Sequence, residues 1–280
     1  MLKWKDHFAT FIFWFAGLAT LTIFIFIVGD IISQGFSGIS WDFLTTEPAS
    51  AGREGGISTI LVSTLLILLI CMLAAVPLGL GTAVLLTEFI PQESFFSRAV
   101  RYSLDVLAGV PSIIFGLFGN AFFCKTLGLG FSILSGGLTL ACMALPILIR
   151  LTEMALRAVP LEQRLSGSAL GFSKSTLLFQ LLLPIALPGI VVGLVLGIGR
   201  AMAETAALIF TSGYVDRMPS SLMDSGRALS IHIFDLSMNV PGGDANAYRS
   251  TFVMLVLILI INALTTALSE QWLGKRILKS

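Results

Sequence analysis

The sequence predicts an all-α transmembrane protein, a six-span helical bundle, and three observations predict it. The 280 residues are 56% hydrophobic and only 12% charged, against roughly 25% charged in a soluble domain, and the mean hydropathy is +0.94. Six segments reach or approach the ~20 mainly apolar residues that cross a bilayer as a helix. The runs are continuous rather than alternating, which excludes barrel strands. A helix is then the form that bonds every backbone group within its own segment.

The first span, residues 8–32, follows Lys3 and Lys5 as a signal core would. Its apolar stretch is longer than the ~7–15 residues of such a core, and no small-x-small cleavage site follows, so it reads as an uncleaved anchor. With its outer loop it forms an N-terminal unit, 1–55, ahead of a five-span core, 56–280. The Gly55-Gly56 pair favours a turn into the second span, 56–87. Pro77 removes a backbone hydrogen bond there, and a kink is expected. The third span is expected at 104–123, bent at Pro111, with Asp105 at its start beside Arg98 and Arg101. The fourth, 131–149, holds Pro146 and ends at Arg150. The fifth, 185–212, follows Pro184, which is expected to break the run before it. The sixth is 251–268. The polar loop 213–250 also carries Ile231, Ile233 and Phe234, so it is expected to fold back on the membrane surface or to dock a partner. The C-terminal GKRILKS reads as a basic anchor.

Lys and Arg orient the bundle. With both termini cytoplasmic, the inner regions hold Lys3, Lys5, Arg98, Arg101, Arg150, Arg157, Arg164, Lys174, Lys275, Arg276 and Lys279. The outer regions hold Arg53, Lys125, Arg217, Arg227 and Arg249, and Arg200 lies within a span. The bias favours this orientation in a multi-pass inner (cytoplasmic) membrane protein whose surroundings are lipid.

Several chemistries find no support. Cys71, Cys124 and Cys142 have no metal-ligand spacing, and His7 and His232 are far apart. No GxxxxGK[ST] phosphate loop is present, so any ATP that drives the protein binds a separate chain. No nucleophile elbow or zincin motif appears. The reading is a non-enzyme with no cofactor of its own, no metal and no nucleic-acid partner.

Two constellations carry the function. The segment VPLEQRLSGSALGFSKSTLLFQLLLPIALP, 159–188, is basic and polar at first, then apolar. Gly171 suits the left-handed stop of one short helix, and Ser173 suits the cap of the next. The product is helix–turn–helix at the inner face, against the simpler reading of an ordinary basic loop. The second constellation is GRAMAETAALIFTSG. Arg200 and Glu204, four residues apart, are expected on one helix face. A charge within the bilayer costs at least about 2.5–3.5 kcal/mol on insertion scales and is a functional hypothesis by default. A guanidinium matches phosphate oxygens through its planar fork, and Glu204 offsets its charge while no anion is bound. Thr205, Thr211 and Ser212 are candidate hydroxyl donors. The competing reading is an ion pair that only packs the bundle.

The first constellation resembles the Glu-Ala-Ala loop of ABC importer permeases, which runs Glu-Ala-Ala, three residues, Gly, nine residues, then Ile-x-Leu-Pro. Gly171 fits the glycine, and Leu181, Leu183 and Pro184 fit the later positions. Leu165, Ser166 and Gly167 occupy Glu-Ala-Ala, so leucine replaces the motif glutamate; Glu162, three residues earlier, is a candidate substitute. GGISTILVSTLLILLICMLAAVPLGLGTAVLLTEF, LAGVPSIIFGLFG, GRAMAETAALIFTSG and MPSSLMDSGRALSIHIF together resemble the phosphate importer permeases, the PstA type more than the PstC type. The usual fifth-span motif reads Gly-Glu-Thr-Ala-Pro; here it is Ala203-Glu204-Thr205-Ala206-Ala207.

The resemblance implies the MetI-like type I importer fold and a membrane-spanning permease subunit of an ATP-driven phosphate importer. It implies a solute pathway at Arg200, Glu204 and Thr205. Leu165, Ser166, Gly167, Gly171 and Pro184, within a coupling loop 157–184, would dock on the ATPase. The implied partners are a PstC-like permease, two PstB-like ATPase subunits carrying the ATP, and a PstS-like periplasmic phosphate-binding protein. A permease for sulfate or molybdate, the PstC-type subunit, a membrane enzyme acting on lipid phosphates and a signalling scaffold are the alternatives.

Overall fold

The computed structural model describes the backbone of residues 2–277. Lys279 of the basic anchor lies outside the described residues, and the side chains of Lys3, Lys5, Lys275 and Arg276 lie outside the described side chains. Apart from a two-residue β-pair, Pro48–Ala49 with Glu54–Gly55, the regular structure of the described residues is helical. Five helical stretches are long and apolar enough to cross a membrane: Ala9–Phe36, Ser58–Phe89, Ile133–Arg157, Lys174–Ala203 and Asp244–Gln271; a bent pair makes a sixth.

The centre of the bundle is a parallel pair, α3 (Ser58–Val84) and α6 (Ile133–Arg157), flanked by α9 (Leu183–Ala203). Ile67, Cys71, Ala75, Leu140, Ala144, Leu148 and Ile198 form the core between them. Small residues let the helices approach. A Cβ on Gly79 would meet Leu148, and one on Gly137 would fall on Ile70. The outermost pair is α1 (Leu2–Phe36) with α12 (Asp244–Ile277), joined by Tyr248 Oη donating to Asp30 (3.0 Å) and by the Phe36–Phe252 edge contact.

The bend expected at Pro111 is present, whereas the break expected at Pro184 is not. Helix α3 runs through Pro77 as one element. The third span is not a single helix from 104: α4 (Phe95–Ala108) ends at Gly109, α5 (Ser112–Gly119) begins after Pro111, and their axes differ by 104°. The proline has no N–H to carry the helix and biases the residue before it away from helical dihedrals. Asp105 therefore sits on α4, where it meets Arg150 rather than Arg98 or Arg101. Pro184 does not break its run either. Residues 174–203 are continuously helical, α8 (Lys174–Thr176) passing through a π-helical turn, Leu177–Leu182, into α9. Leu183 N–H reaches back to Leu178 O, a π step, and Pro184 then falls near the start of the renewed α-helix, where a proline is tolerated.

Part of the loop 213–250 packs inward, while Phe234 stays exposed. Helix α11 (Leu229–Met238) buries Leu229, Ile231 and Leu236 completely, and Leu229 N–H donates to Thr64 Oγ1 on α3 at 2.8 Å. Asp224 organises the preceding turn by accepting from Ser220 N–H, Ser220 Oγ and Ser221 N–H. These bonds hold its carboxyl below the usual carboxylate range, the Ser220 hydroxyl contributing most.

Candidate functional site: a broken span at mid-bundle and an arginine-gripped lever

The fifth span is interrupted, which revises the expectation of one helix from 185 to 212. Helix α9 stops at Ala203; Glu204 is its cap residue, with extended dihedrals (φ −76°, ψ 123°). A four-residue helix, α10 (Ala206–Ile209), then starts from Thr205. The depth of the break follows from packing against α6. Added Cβ atoms on Gly189, Gly193 and Gly197 would meet Ala155, Leu151 and Leu148 in turn. Extending that antiparallel register puts Arg200 beside Ala144, near the middle of Ile133–Arg157. Non-helical backbone at such depth is tolerated where it is buried in protein or lines a polar cavity.

Neighbouring elements hold the break open. Ser230 Oγ donates to Glu204 O at 2.7 Å, and Asn120 Nδ2 donates to Phe210 O, at the end of α10, at 2.8 Å. Gly116 lets α5 approach α10, since a Cβ there would lie 2.9 Å from Ala207 Cα. The two discontinuous spans thus meet each other.

Arg200 lies in the last turn of α9 and faces Glu204 across the break, Nε to Oε1 at 3.7 Å. They do not share one face of a continuous helix, as expected, because the helix has ended before Glu204. That distance makes an ion pair but not a hydrogen bond, and Arg200 Nε is buried with no hydrogen-bond partner among the described residues. The side chains are 36% and 15% exposed respectively. A half-satisfied guanidinium at this depth has donor capacity left for an anion. The helix C-terminus carries partial negative charge that favours a cation there. Thr205 is partly buried and caps α10 without a side-chain hydrogen bond. Thr211 and Ser212 are fully buried and donate to Ala207 O and Leu208 O on their own turn, so their hydroxyl protons are already committed. Arg200 does not line the apolar crevice of about 470 Å³ between the bent α4–α5 pair and α6, formed by residues such as Leu104, Phe115, Phe118 and Leu145, which offers an oxyanion no donor.

The other constellation lies at the arginine-rich end. Helix α7 (Leu161–Ala169) closes with a left-handed Gly171 (φ 76°). Phe172 N–H bonds Gly167 O and Gly171 N–H bonds Ser168 O, the Schellman pattern of a glycine stop. Ser173 Oγ then accepts from Thr176 N–H at 3.2 Å and caps α8. Gly167 is buried, and a Cβ there would lie 2.5 Å from Leu177 Cδ1, so α7 seats directly on the π turn. Leu161 and Leu165, a turn apart, are exposed (66% and 60%), whereas Ser166 hydrogen-bonds its own helix at Glu162 O.

An ion network surrounds this lever. Glu153 on α6, only 4% exposed, is contacted by Arg101 (2.8 Å), Arg157 (2.7 Å) and Arg150 (3.9 Å). Arg164 on α7 donates from Nη1 to both Glu88 carboxylate oxygens (2.8 and 2.9 Å) and from Nη2 to Leu156 O (2.7 Å).

With this geometry in view, residues 75–279 match the family of binding-protein-dependent transport system inner membrane components. The chain belongs to this family. It is 31% identical over 99% of its length to a probable ABC transporter permease protein, YqgI, of Bacillus subtilis, covering 97% of that protein. It is also 31% identical to the phosphate transport system permease protein PstA of Mycobacterium leprae, over 92% of this chain and 86% of that one. Among solved structures, a bacterial ABC transporter importing the polysaccharide alginate aligns with a TM-score of 0.64 at 16% identity, over 97% of this chain and 99% of that one. The inward-facing MetNI methionine transporter aligns at 0.54 and 19%, over 79% and 94%. These structures share the mostly helical, MetI-like fold, and the family match makes the chain a multi-pass membrane permease of the ABC importer class.

The family match covers both constellations. The supports of the break, Ser230, Asn120 and Thr64, escaped sequence reading, as did Glu88 and Glu153. Asn120, a lone amide in the apolar run LFGNAFF, was a readable signal, as were the single carboxylates of LLTEF and RLTEM at the ends of apolar runs. Ser230 and Thr64 gave none, because serine and threonine are ordinary helix-packing residues.

Proposed function

We propose that this permease is the PstA-type membrane subunit of an ATP-driven inorganic phosphate importer in a bacterial inner membrane, with both termini cytoplasmic. One observation carries the reading. An arginine with an unpaired buried Nε stands at mid-span depth, at the end of a broken helix, 3.7 Å from a carboxylate. Arg200 is the solute-facing donor, Glu204 its standby counter-ion and Thr205 a further donor. The similarity to phosphate transport permeases supports phosphate over other oxyanions. The partners in this reading are a PstC-like permease completing the pathway, two PstB-like ATPase subunits and a PstS-like binding protein that delivers phosphate from outside.

The exposed Leu161–Leu165 strip of α7 supports a docking role for that helix on the ATPase. Leu165, Ser166 and Gly167 lie on the docking helix, Gly171 is the joint and Pro184 starts the span it drives. Alternating access follows if the two conformations contact the ATPase differently. The test is uptake by the complete complex in vesicles. Arg200→Gln is expected to assemble and hydrolyse ATP but take up no phosphate; normal uptake by this variant defeats the assignment. Competition by sulfate and molybdate tests the choice of anion.

A further inference from the structure

We infer that Arg164 and Glu88 form a strut that carries movement of α7 into the bundle, and that this pair sets the coupling between ATP hydrolysis and transport. The inference rests on the importer reading above.

Helix α7 has two attachments. One is local: Gly167 sits on Leu177 and Leu181, just across the Gly171 joint. A helix held only there and by its three-residue link to α6, residues 158–160, would have no polar tie to α3. The other attachment is long-range and polar. Arg164 crosses to Glu88, 76 residues earlier, and to the carbonyl of Leu156. Arg164 lies one turn before Gly167 and flanks the exposed Leu161–Leu165 strip, three residues after Leu161. A push on the strip therefore reaches Arg164 through a rigid helix. Side-chain exposure of the pair is 21% and 15%, so water screens it only in part.

The two receivers matter more than the contact itself. Leu156 is fully buried near the end of α6. Glu88 lies in a π-helical segment, Leu85–Phe89, that closes α3. Single π turns inside long helices recur at functional sites. One guanidinium thus grips the ends of the two central spans, the same spans whose opposite halves support the break at Glu204: α3 through Thr64 and α11, and α6 through its contact with α10. A continuous packed path joins the lever to the arginine that faces the solute, which is the physical requirement for coupling through a bundle. Arg101, Arg150 and Arg157 all reach Glu153, Arg150 pairing more closely with Asp105. Arg164 alone of these four departs from that cluster.

The experiment uses the assembled complex with its partner permease and ATPase, reconstituted in vesicles, with phosphate as the probe. ATP hydrolysis and phosphate uptake are measured on the same preparation for wild type, Glu88→Gln, Arg164→Gln and the double variant. Each single variant is expected to retain hydrolysis while phosphate moved per ATP falls about tenfold, a typical coupling energy. Because the two residues act through each other, the double variant should be no worse than the worse single. An unchanged ratio in both singles overturns the inference. So does a multiplicative loss in the double variant. Loss of assembly in both singles makes the pair a structural staple and overturns it as well. Wild-type vesicles that hydrolyse ATP but move no phosphate would instead defeat the phosphate reading, and the ratio would then be measured with the oxyanion the wild type does carry.

Discussion

Two arginine–carboxylate sites in one permease are built to opposite specifications. Around Glu153 a single buried carboxylate serves three guanidiniums, two of them at 2.7–2.8 Å. At the mid-span break, one carboxylate stands 3.7 Å from one guanidinium whose Nε has no hydrogen bond among the described residues. A saturated network has nothing left to offer a ligand and much to lose when cut. An under-satisfied pair has little to lose and donor capacity to give. The same two residue types therefore hold structure at one end of the bundle and fit solute handling at its middle.

The sharpest break of that comparison is Arg200→Gln against Glu153→Gln. Arg200→Gln should abolish uptake while thermal unfolding of the purified complex barely shifts, because no short hydrogen bond is lost. Glu153→Gln should do the reverse to stability. Removing one partner of a buried pair costs about 3–5 kcal/mol, and here three cations lose their shared counter-charge. Thermal or denaturant unfolding reads this directly; equal effects of the two variants on stability would erase the distinction.

His232 gives the next largest effect and extends the comparison to the opposite face. It is fully buried on α11 against Gly52, and Nδ1 lies 3.5 Å from Arg227 Nη1. Burial first, and the Arg227 charge second, push its pKa down to about 4, against the opposing pull of Asp216 and Asp235. The folded state keeps the ring neutral where the unfolded chain would protonate it. Stability is therefore fully present above about pH 6.5 and is lost as pH falls from there toward 4, by up to about 3 kcal/mol. Melting temperatures at pH 7.5 and pH 5 should differ for wild type, and the difference should shrink in His232→Asn.

The smallest effect concerns the joint. Gly171 adopts φ 76°, yet an added Cβ would meet nothing within 4 Å. Gly171→Ala should then cost only the left-handed backbone penalty, about 1–2 kcal/mol, without steric damage. Phosphate transported per ATP should fall less than in Arg164→Gln. A larger fall than at Arg164 would move the coupling from the strut to the joint.

The order in which features became readable follows the range of the forces that set them. Composition and run length determined by themselves that this is a helical membrane protein with about six crossings, because hydrocarbon imposes its demand on each segment separately. Local rules likewise gave the Gly171 stop and the Ser173 cap, since both are closed by hydrogen bonds within five residues. Sequence also singled out Arg200 and Glu204 as charges where charge is costly. Only the tertiary structure decided that the helix ends between them: that break is held by Ser230 and Asn120 and relieved by the small side of α5, all distant in sequence. The size of the bend at Pro111, 104°, the continuity through Pro184 and the partners of Glu88 and Glu153 were decided in the same way. A proline or a carboxylate states what it lacks or needs, and the packed neighbours determine how that need is met.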